Sequence, residues 1–304
     1  MLENKKQKYI VTVGMFDGLH LGHQHILDVL KEEAATRGLE PMVITFDKHP
    51  RQVLEPAVMA PLLLTSNAER IELIRQYGIN QIEILPFTQS LADMTACQFF
   101  VKHLVNQLHI AALVLGYDNT FGNKQSNDFE QLEPLAVEYG VDVVHANPIM
   151  YEELAISSSR IRKALQSGNL QGTNNMLGRP YSLTGLVVQG RHWGRTLNFP
   201  TANILISESL KALPIEGVYA VTTQILGREE LFKGMANIGP LPTYNIQDVH
   251  CEVHLIDFND DIYGKELRIE LHEKIRDIQK FESTELLKLQ LELDCEKCQK
   301  ILNH

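Results

Sequence analysis

Two histidines, an aspartate and several glycines fall within ten residues in the stretch GMFDGLHLGH (14–23). His20 and His23 are three residues apart, about one helical turn, so both rings can face one point. Imidazole N–H groups can stabilise charge that develops on a phosphorus centre. This pattern suits chemistry on a phosphorylated ligand, and a capped helix with surface histidines would give the same spacing. A zinc pair is disfavoured because no third ligand is evident.

Two later stretches carry the same kind of chemistry. ISSSRIRKAL (156–165) puts serine hydroxyls and guanidinium groups at a predicted helix start, a set that suits phosphates. A plain helix cap with a solvated basic face is the alternative interpretation of that stretch. In LGYDNTFGN (115–123), Asp118 directly follows a predicted strand.

The elements that carry these stretches alternate between strand and helix. Continuous apolar strands separated by helices predict a parallel sheet that is covered on both faces. Ligands of such sheets bind at the carboxyl ends of the strands, so the three polar stretches should meet at one edge. The predicted strands are 9–14, 41–46, 81–87, 111–116 and 141–146, and the predicted helices are 21–37, 67–78, 95–109 and 129–140.

FDGLHLGH together with ISSSRIR resembles the paired signature of the HxGH nucleotidylyltransferases. With TFDKHPR (45–51) and LGYDNTFG, the set is similar to the adenylyltransferase module of the bacterial bifunctional riboflavin kinase/FAD synthetase family. That resemblance implies AMP transfer from ATP to FMN, with His20 and His23 stabilising the triphosphate and Asp118 near flavin or magnesium. It also implies ATP or phosphate contacts from Gly14, Phe16, Asp17, Gly22, Ser158, Ser159, Arg160 and Arg162. Asn119 stands where the family usually has an aromatic residue.

A second motif, GRHWGRTLNFPTANI (190–204), lies in the other half of the chain. Thr201 and Asn203 alternate on an extended segment, so both side chains face one side. Their oxygen atoms are hard ligands that suit magnesium shared with ATP phosphates. Gly194 permits a tight turn there, and Arg195 could contact phosphates. A turn that hydrogen-bonds to itself is the alternative.

The second motif resembles the PTAN signature of riboflavin kinases, with Asn198 in place of the usual glycine. NIGPLPTYN (237–245), EVHLIDF (252–258) and YGKELRIELHEKIRDIQKF (263–281) match that family as well. Glu252 lies in an otherwise apolar strand, where a carboxylate is unusual. Without the motif it would be interpreted as an outward-facing strand residue. The resemblance implies that it is the base that activates the ribityl 5′-hydroxyl.

The second half lacks helices between its strands, which predicts an antiparallel barrel or sandwich followed by a C-terminal helix. With the resemblance to riboflavin kinases, we expect the antiparallel β-barrel. That helix should start near Ser283 and reach about Leu302, with Leu286, Leu289 and Leu293 as its buried stripe. The domains are predicted as 1–175 and 176–304, separated within the polar stretch 167–180. The predicted strands are 182–190, 217–226, 231–239, 251–258 and 267–275.

The composition and net charge limit the classes of partner and the compartment that we expect for this protein. The 304 residues carry a net charge of −10, which argues against a general nucleic-acid binder. Four cysteines in this length fit a reducing compartment, and neither a signal peptide nor a membrane-spanning run is visible, so a cytoplasmic location is expected. The sequence leaves the oligomeric state open.

Taken together, the sequence predicts a two-domain enzyme that uses ATP as co-substrate and Mg²⁺ as cofactor, with riboflavin and FMN as further substrates. In one alternative only the kinase half is active, and the amino-terminal half binds flavin or nucleotide or regulates. In another, the protein carries flavin without catalysis.

Overall fold

The computed structural model describes residues 8–54, 62–117, 130–189, 199–206, 210–240 and 249–303. The chain divides into two units, Met1–Ser158 and Ser159–His304. The predicted boundary at 175/176 stays a prediction. The fold class expected from the sequence is confirmed in both units.

A five-stranded parallel sheet runs through the first unit in the order β3-β2-β1-β4-β5. Because β1 pairs with both β2 and β4, the direction in which strands are added reverses at β1, and ligands favour that position in such sheets. The strands are β1 (Tyr9–Val13), β2 (Glu40–Phe46), β3 (Gln81–Leu85), β4 (Ile110–Gly116) and β5 (Asp142–Ala146).

Helices connect these strands, and apolar clusters cover both faces of the sheet. The helices and the hairpin of this part are α1 (Leu21–Arg37), α2 (Pro50–Leu54), α3 (Asn67–Gln76), α4 (Gln89–Ala92), α5 (Ala96–Phe99), a π-helix (Phe100–Val105), α6 (Leu132–Glu138), β6 (Met150–Tyr151) and β7 (Leu154–Ala155). The next helix, α7 (Ser158–Gln166), begins at the last residue of the first unit and belongs otherwise to the second.

Two of these helices differ from the prediction. The helix predicted at 95–109 changes to i→i+5 bonding after Phe99, as the bond from the Asn106 N–H to the Val101 carbonyl shows. α3 starts at the predicted residue but ends at Gln76, two residues before the predicted end, and Ser66 and Glu69 form a reciprocal capping box at its start.

The second unit contains a closed six-stranded barrel in the order β10-β11-β12-β9-β8-β13. Five of its strands match predicted ones, and the sixth is the extended segment after Thr201. A helix, α8 (Leu170–Leu177), occupies the stretch that was predicted as a linker. The barrel strands are β8 (Tyr181–Val188), β9 (Ala202–Ile206), β10 (Gly217–Ile225), β11 (Leu231–Pro240), β12 (Val249–Leu255) and β13 (Glu266–Arg276).

The last helix, α9 (Thr284–Leu302), begins after the Ser283 cap as predicted, but its buried face is not the predicted one. Leu286, Leu289 and Leu293 are about half exposed, so the prediction of a buried leucine stripe is wrong. Asp294 and Cys298 are buried instead. The Asp294 carboxylate pairs with Arg276 of β13, with 2.7 Å between Nη2 and Oδ2, and this pair turns a polar position inward.

Candidate active sites

The turn between β1 and α1 has an unusual backbone. Phe16, Gly18 and Leu19 have φ angles of 49°, 82° and 36°. Left-handed geometry costs a non-glycine residue free energy, and it persists only where the surroundings impose it. The contacts of this turn therefore determine whether its histidines keep their positions.

Asp17 provides the main contacts. Its carboxylate is buried, and Oδ1 accepts hydrogen bonds from the Leu64 N–H at 2.9 Å, the Thr65 N–H at 3.0 Å and the Thr65 hydroxyl at 3.3 Å. The Thr65 hydroxyl in turn accepts from the Gly18 N–H at 3.0 Å. These bonds fix the turn against the segment before α3. The predicted contact between Asp17 and ATP or phosphate stays a prediction.

The structure brings His20 and His23 together. Their rings stack with centroids 3.6 Å apart and planes 16° apart. His20 is the N-cap of α1, and its Nδ1 accepts from the His23 N–H at 3.3 Å. Because an N–H group faces Nδ1, the neutral His20 ring carries its hydrogen on Nε2, which acts as the donor.

Two glycines leave room for these rings. A Cβ atom at Gly22 would lie 3.2 Å from the His20 ring, and one at Gly14 would lie 3.2 Å from the Phe16 ring. The buried Phe16 ring packs against His23 with centroids 5.1 Å apart. Gly14, Phe16 and Gly22 thus set the ring positions, and their predicted contacts with ATP stay predictions.

The serine and arginine residues at the start of α7 do not all have the same contacts. The Ser158 hydroxyl donates to the Asp17 carbonyl oxygen at 2.9 Å, which joins Ser158 to the turn after β1 within the first unit. Arg162 Nη2 donates to the Ser159 hydroxyl at 3.2 Å, and Arg160 lies between them in sequence. Phosphate binding by these four residues stays a prediction.

Three residues of the predicted sites fall outside the described part of the chain. They are Asp118, Gly194 and Arg195. The departures from the family pattern at Asn119 and Asn198 lie there too.

In the second unit, strand register places three polar residues in one row. Glu252 of β12 is directly opposite Asn203 of β9 and opposite Asn237 of β11. Directly paired residues point to the same face of a sheet, with Cβ atoms about 5 Å apart. Glu252 therefore has an amide side chain on each side. Asn203 and Glu252 were predicted as site residues and Asn237 was not, because the pairing of distant strands carries no local signal.

The turn before β9 is held by a histidine of β12. His254 is mostly buried, its Nδ1 lies 2.8 Å from the Pro200 carbonyl oxygen, and its ring packs on Phe199 with centroids 5.1 Å apart. Burial lowers the pKa of His254, so the ring is neutral and donates from Nδ1 to this carbonyl. Pro200 precedes Thr201, so the hydrogen bond from His254 to Pro200 also restrains Thr201, the predicted metal ligand.

A cavity of about 300 Å³ adjoins this turn. Thr201 lines it together with Phe258, Asp260, Asp261 and Tyr263 of the segment after β12 and with apolar residues of the barrel. Aromatic rings beside a hydroxyl and carboxylates suit a ligand with a flat ring and a polar end. None of these residues except Thr201 was predicted as a site residue, because their approach to the Thr201 turn depends on the pairing of distant strands.

Thr201 and Asn203 supply a hydroxyl and an amide oxygen, and such a donor set fits Mg²⁺ shared with phosphate oxygens. No group of three or more His, Cys, Asp or Glu residues that could hold a metal ion occurs in the described ranges. Within those ranges, no helix is both long and apolar enough to cross a membrane.

Fold and site geometry together define a class: an α/β nucleotide-binding unit with an HxGH turn, joined to a β-barrel unit. The FAD synthetase family model matches residues 2–160, and the riboflavin kinase family model matches residues 177–302. The chain belongs to the family of bifunctional riboflavin kinase/FMN adenylyltransferases.

Curated relatives are similar in sequence over nearly the whole chain. The bifunctional riboflavin kinase/FMN adenylyltransferase of Haemophilus influenzae is 36% identical over 293 residues, covering 96% of this chain and 94% of the relative. The Bacillus subtilis protein of the same description is 33% identical over 298 residues, covering 97% and 92%.

Similarity to a solved structure extends over both units. That solved structure, a crystal structure from Streptococcus pneumoniae, is described as a macrolide-efflux protein and has 32% identity and a TM-score of 0.86. The match covers 96% of this chain and 94% of that one. The efflux description belongs to that protein, whereas the shared architecture supports the fold described above.

Proposed function

We propose that this chain makes FMN from riboflavin in its barrel unit and FAD from FMN in its α/β unit, consuming one ATP at each step. The single observation that carries the proposal is that one chain holds two separate constellations, the stacked histidine pair after β1 and the Asn203–Glu252–Asn237 row of the barrel. Membership of the bifunctional family supports both activities.

In the kinase step, Glu252 accepts the proton of the ribityl 5′-hydroxyl while that oxygen attacks the γ-phosphorus of ATP. The bond from the γ-phosphorus to the bridging oxygen breaks, and ADP leaves. A positioned base contributes about 10²–10⁴-fold to such a step. Thr201 and Asn203 would hold Mg²⁺, which neutralises phosphate charge when bound. We place the nucleotide in the cavity beside Thr201.

In the adenylyl step, a phosphate oxygen of FMN attacks the α-phosphorus of ATP, and pyrophosphate leaves. His20 and His23 donate hydrogen bonds to the triphosphate as charge shifts toward the leaving group. Ser158, Ser159, Arg160 and Arg162 would bind phosphate oxygens, and the turn of Gly14, Phe16, Asp17 and Gly22 would surround the ATP. Asp118 would bind flavin, and Gly194 and Arg195 would contact ATP in the barrel unit.

The direct test is product analysis. Purified protein is incubated with riboflavin, ATP and Mg²⁺, and the products are identified by mass. We expect FMN first and FAD later. FMN without FAD at saturating ATP would support the alternative in which only the kinase half is active, and neither product would contradict both activities and favour a flavin carrier.

A further inference from the structure

His254 joins two segments of the barrel unit that the kinase step uses. It lies two residues after Glu252 on β12, so both side chains point to the same face of the strand. Its Nδ1 lies 2.8 Å from the Pro200 carbonyl oxygen. Because a carbonyl oxygen only accepts, Nδ1 carries the hydrogen and donates it to this bond. The strand that bears the proposed base therefore binds the turn that bears Thr201.

Strand pairing leaves Thr201 outside the two ladders of β9. The strand pairs with β12 from Ala202 onwards and with β8 from Asn203 onwards. Pro200 lacks an N–H group and cannot donate to extend either ladder. The bond from His254 to the Pro200 carbonyl oxygen restrains the backbone on the other side of Thr201. Asn203 is thus held by two ladders, whereas Thr201 lies between the end of a ladder and a single side-chain bond.

Packing fixes the His254 ring itself. The residue is 9% exposed, and its ring packs on Phe199 with centroids 5.1 Å apart and planes 60° apart. Phe199 packs against an apolar cluster that includes Met235, the residue directly opposite His254 on β11. The ring therefore has little freedom to rotate, and its donor stays directed at the carbonyl oxygen.

We propose that His254 is a positioning residue for the kinase step, whose hydrogen bond to Pro200 holds the Thr201 hydroxyl on the same side as the Asn203 amide so that both can bind one Mg²⁺. Residues that orient a metal ligand without touching the metal change metal affinity by about 10–100-fold. This inference rests on the proposed function of the barrel unit. His254 acts through Thr201, without contact with riboflavin or ATP.

Two substitutions separate the hydrogen bond from the bulk of the ring. His254→Phe keeps a ring against Phe199 but has no donor for the Pro200 carbonyl oxygen. His254→Asn has a smaller side chain, and its Nδ2 is as many bonds from the backbone as Nδ1 of histidine, so it can donate to that oxygen. A role in packing alone would make His254→Asn the more damaging change, whereas a positioning role makes His254→Phe the more damaging one.

The first measurement is FMN formation from riboflavin at saturating ATP over a range of free Mg²⁺ concentrations. In His254→Phe we expect the Mg²⁺ concentration for half-maximal rate to rise about tenfold. The KM for riboflavin should stay within about twofold, because the flavin does not contact this turn in the proposal. His254→Asn should need no more than about threefold the Mg²⁺ of wild type. FAD formation from FMN, which depends on the other unit, should be unchanged in both variants.

The second measurement is binding without turnover. Calorimetric titration with ADP, once with Mg²⁺ and once with EDTA, gives the factor by which the metal raises nucleotide affinity. Thr201→Ala identifies the part of this signal that comes from the barrel unit, because it removes a proposed metal ligand there. We expect that part to weaken about tenfold in His254→Phe and to be kept in His254→Asn.

An unchanged Mg²⁺ requirement in folded His254→Phe protein would overturn the inference, as would an equal or larger effect in His254→Asn or a parallel loss of FAD formation. If His254→Phe does not fold, His254→Gln takes its place with the same expectations, because its amide reaches the position of Nε2 and not that of Nδ1. Failure of the proposed function is a different result, since wild-type protein would then make no FMN.

Discussion

At the scale of single residues, His254, which binds the turn before Thr201, makes the folded state less stable at acid pH. The His254 ring is neutral because burial lowers its pKa, and burial also lowers the pKa of His272. A group whose pKa is lower in the folded state takes up its proton more readily in the unfolded chain. Stability is therefore lost as pH falls below the ordinary histidine value of about 6.5.

We expect the urea midpoint of the barrel unit to fall between pH 7.5 and pH 5.5, and to fall less in His254→Asn than in wild type. Circular dichroism during urea titration measures both. His145→Gln is the matched control, because His145 is exposed and its replacement should leave the pH response unchanged. An equal acid response in His254→Asn and wild type would contradict the assignment.

At the scale of elements, the glycine in the first turn of α1, Gly22, lowers the stability of the helix but leaves room for the His20 ring. Gly22 lies in a helix, where alanine is favoured by about 0.5–1 kcal/mol. An alanine Cβ would, however, lie 3.2 Å from the His20 ring and push it by a few tenths of an ångström. We expect Gly22→Ala to lower kcat of FAD formation roughly tenfold without loss of stability, since small misplacements of reacting groups are costly.

Kinetics of FAD formation and thermal unfolding of the same protein check this expectation, with FMN formation as the internal control. A variant that is both stable and fully active would show that His20 tolerates the displacement.

The attachment of α9 depends on a buried ion pair. Asp294 is almost completely buried and binds Arg276 through Nε, at 3.1 Å to Oδ1 and 2.9 Å to Oδ2, and through Nη2. Removing one partner leaves an uncompensated buried charge, so Asp294→Ala should cost about 3–5 kcal/mol of unfolding free energy.

The double variant Arg276→Met/Asp294→Leu should recover most of this loss, because replacing both charges removes the desolvation cost along with the attraction. Denaturant unfolding of the three proteins measures the difference. If the double variant has an unfolding free energy as low as that of Asp294→Ala, the pair does more than compensate the two charges.

The Arg276–Asp294 pair is an example of a contact that the sequence alone does not predict. Hydrophobic periodicity predicted the strands, most helices and the barrel, because burial of apolar faces is a local signal. In α9 it chose Leu286, Leu289 and Leu293, since a partner for Asp294 eighteen residues earlier is invisible in the sequence. α8 was missed because it lies in a polar stretch whose helical structure depends on tertiary contacts. The extended segment after Thr201 was predicted, but its pairing within the barrel was not.

Site residues divide in the same way. The spacing of His20 and His23 was readable because both lie on one helical turn. The burial of Asp17 and the pairing of Asn237 with Glu252 were not, because each depends on segments that are distant in sequence.

At the scale of the whole molecule, two activities on one chain should be separable. His23→Ala should lower FAD formation by about 10²-fold or more, as loss of one transition-state donor does. Glu252→Gln should lower FMN formation by about 10²–10⁴-fold. Each variant should keep the other activity near wild type.

Mixing the two variants should restore FAD formation from riboflavin, because FMN released by the His23→Ala protein becomes substrate for the Glu252→Gln protein. Chromatography of the flavins over time would show FMN rising before FAD. A mixture that makes FMN but no FAD would mean that the adenylyl site does not accept FMN from solution.

The closed barrel has a consequence for how this protein can change in evolution. β12 is bonded to a neighbour on both sides, and side-chain direction alternates along it, so a slip by one residue would turn Glu252 to the opposite face. Such a slip has to break two ladders at once. Changes in the length of the connection before β12 therefore leave the carboxylate on its face, whereas the segment after β12 also lines the cavity beside Thr201 and is constrained by it.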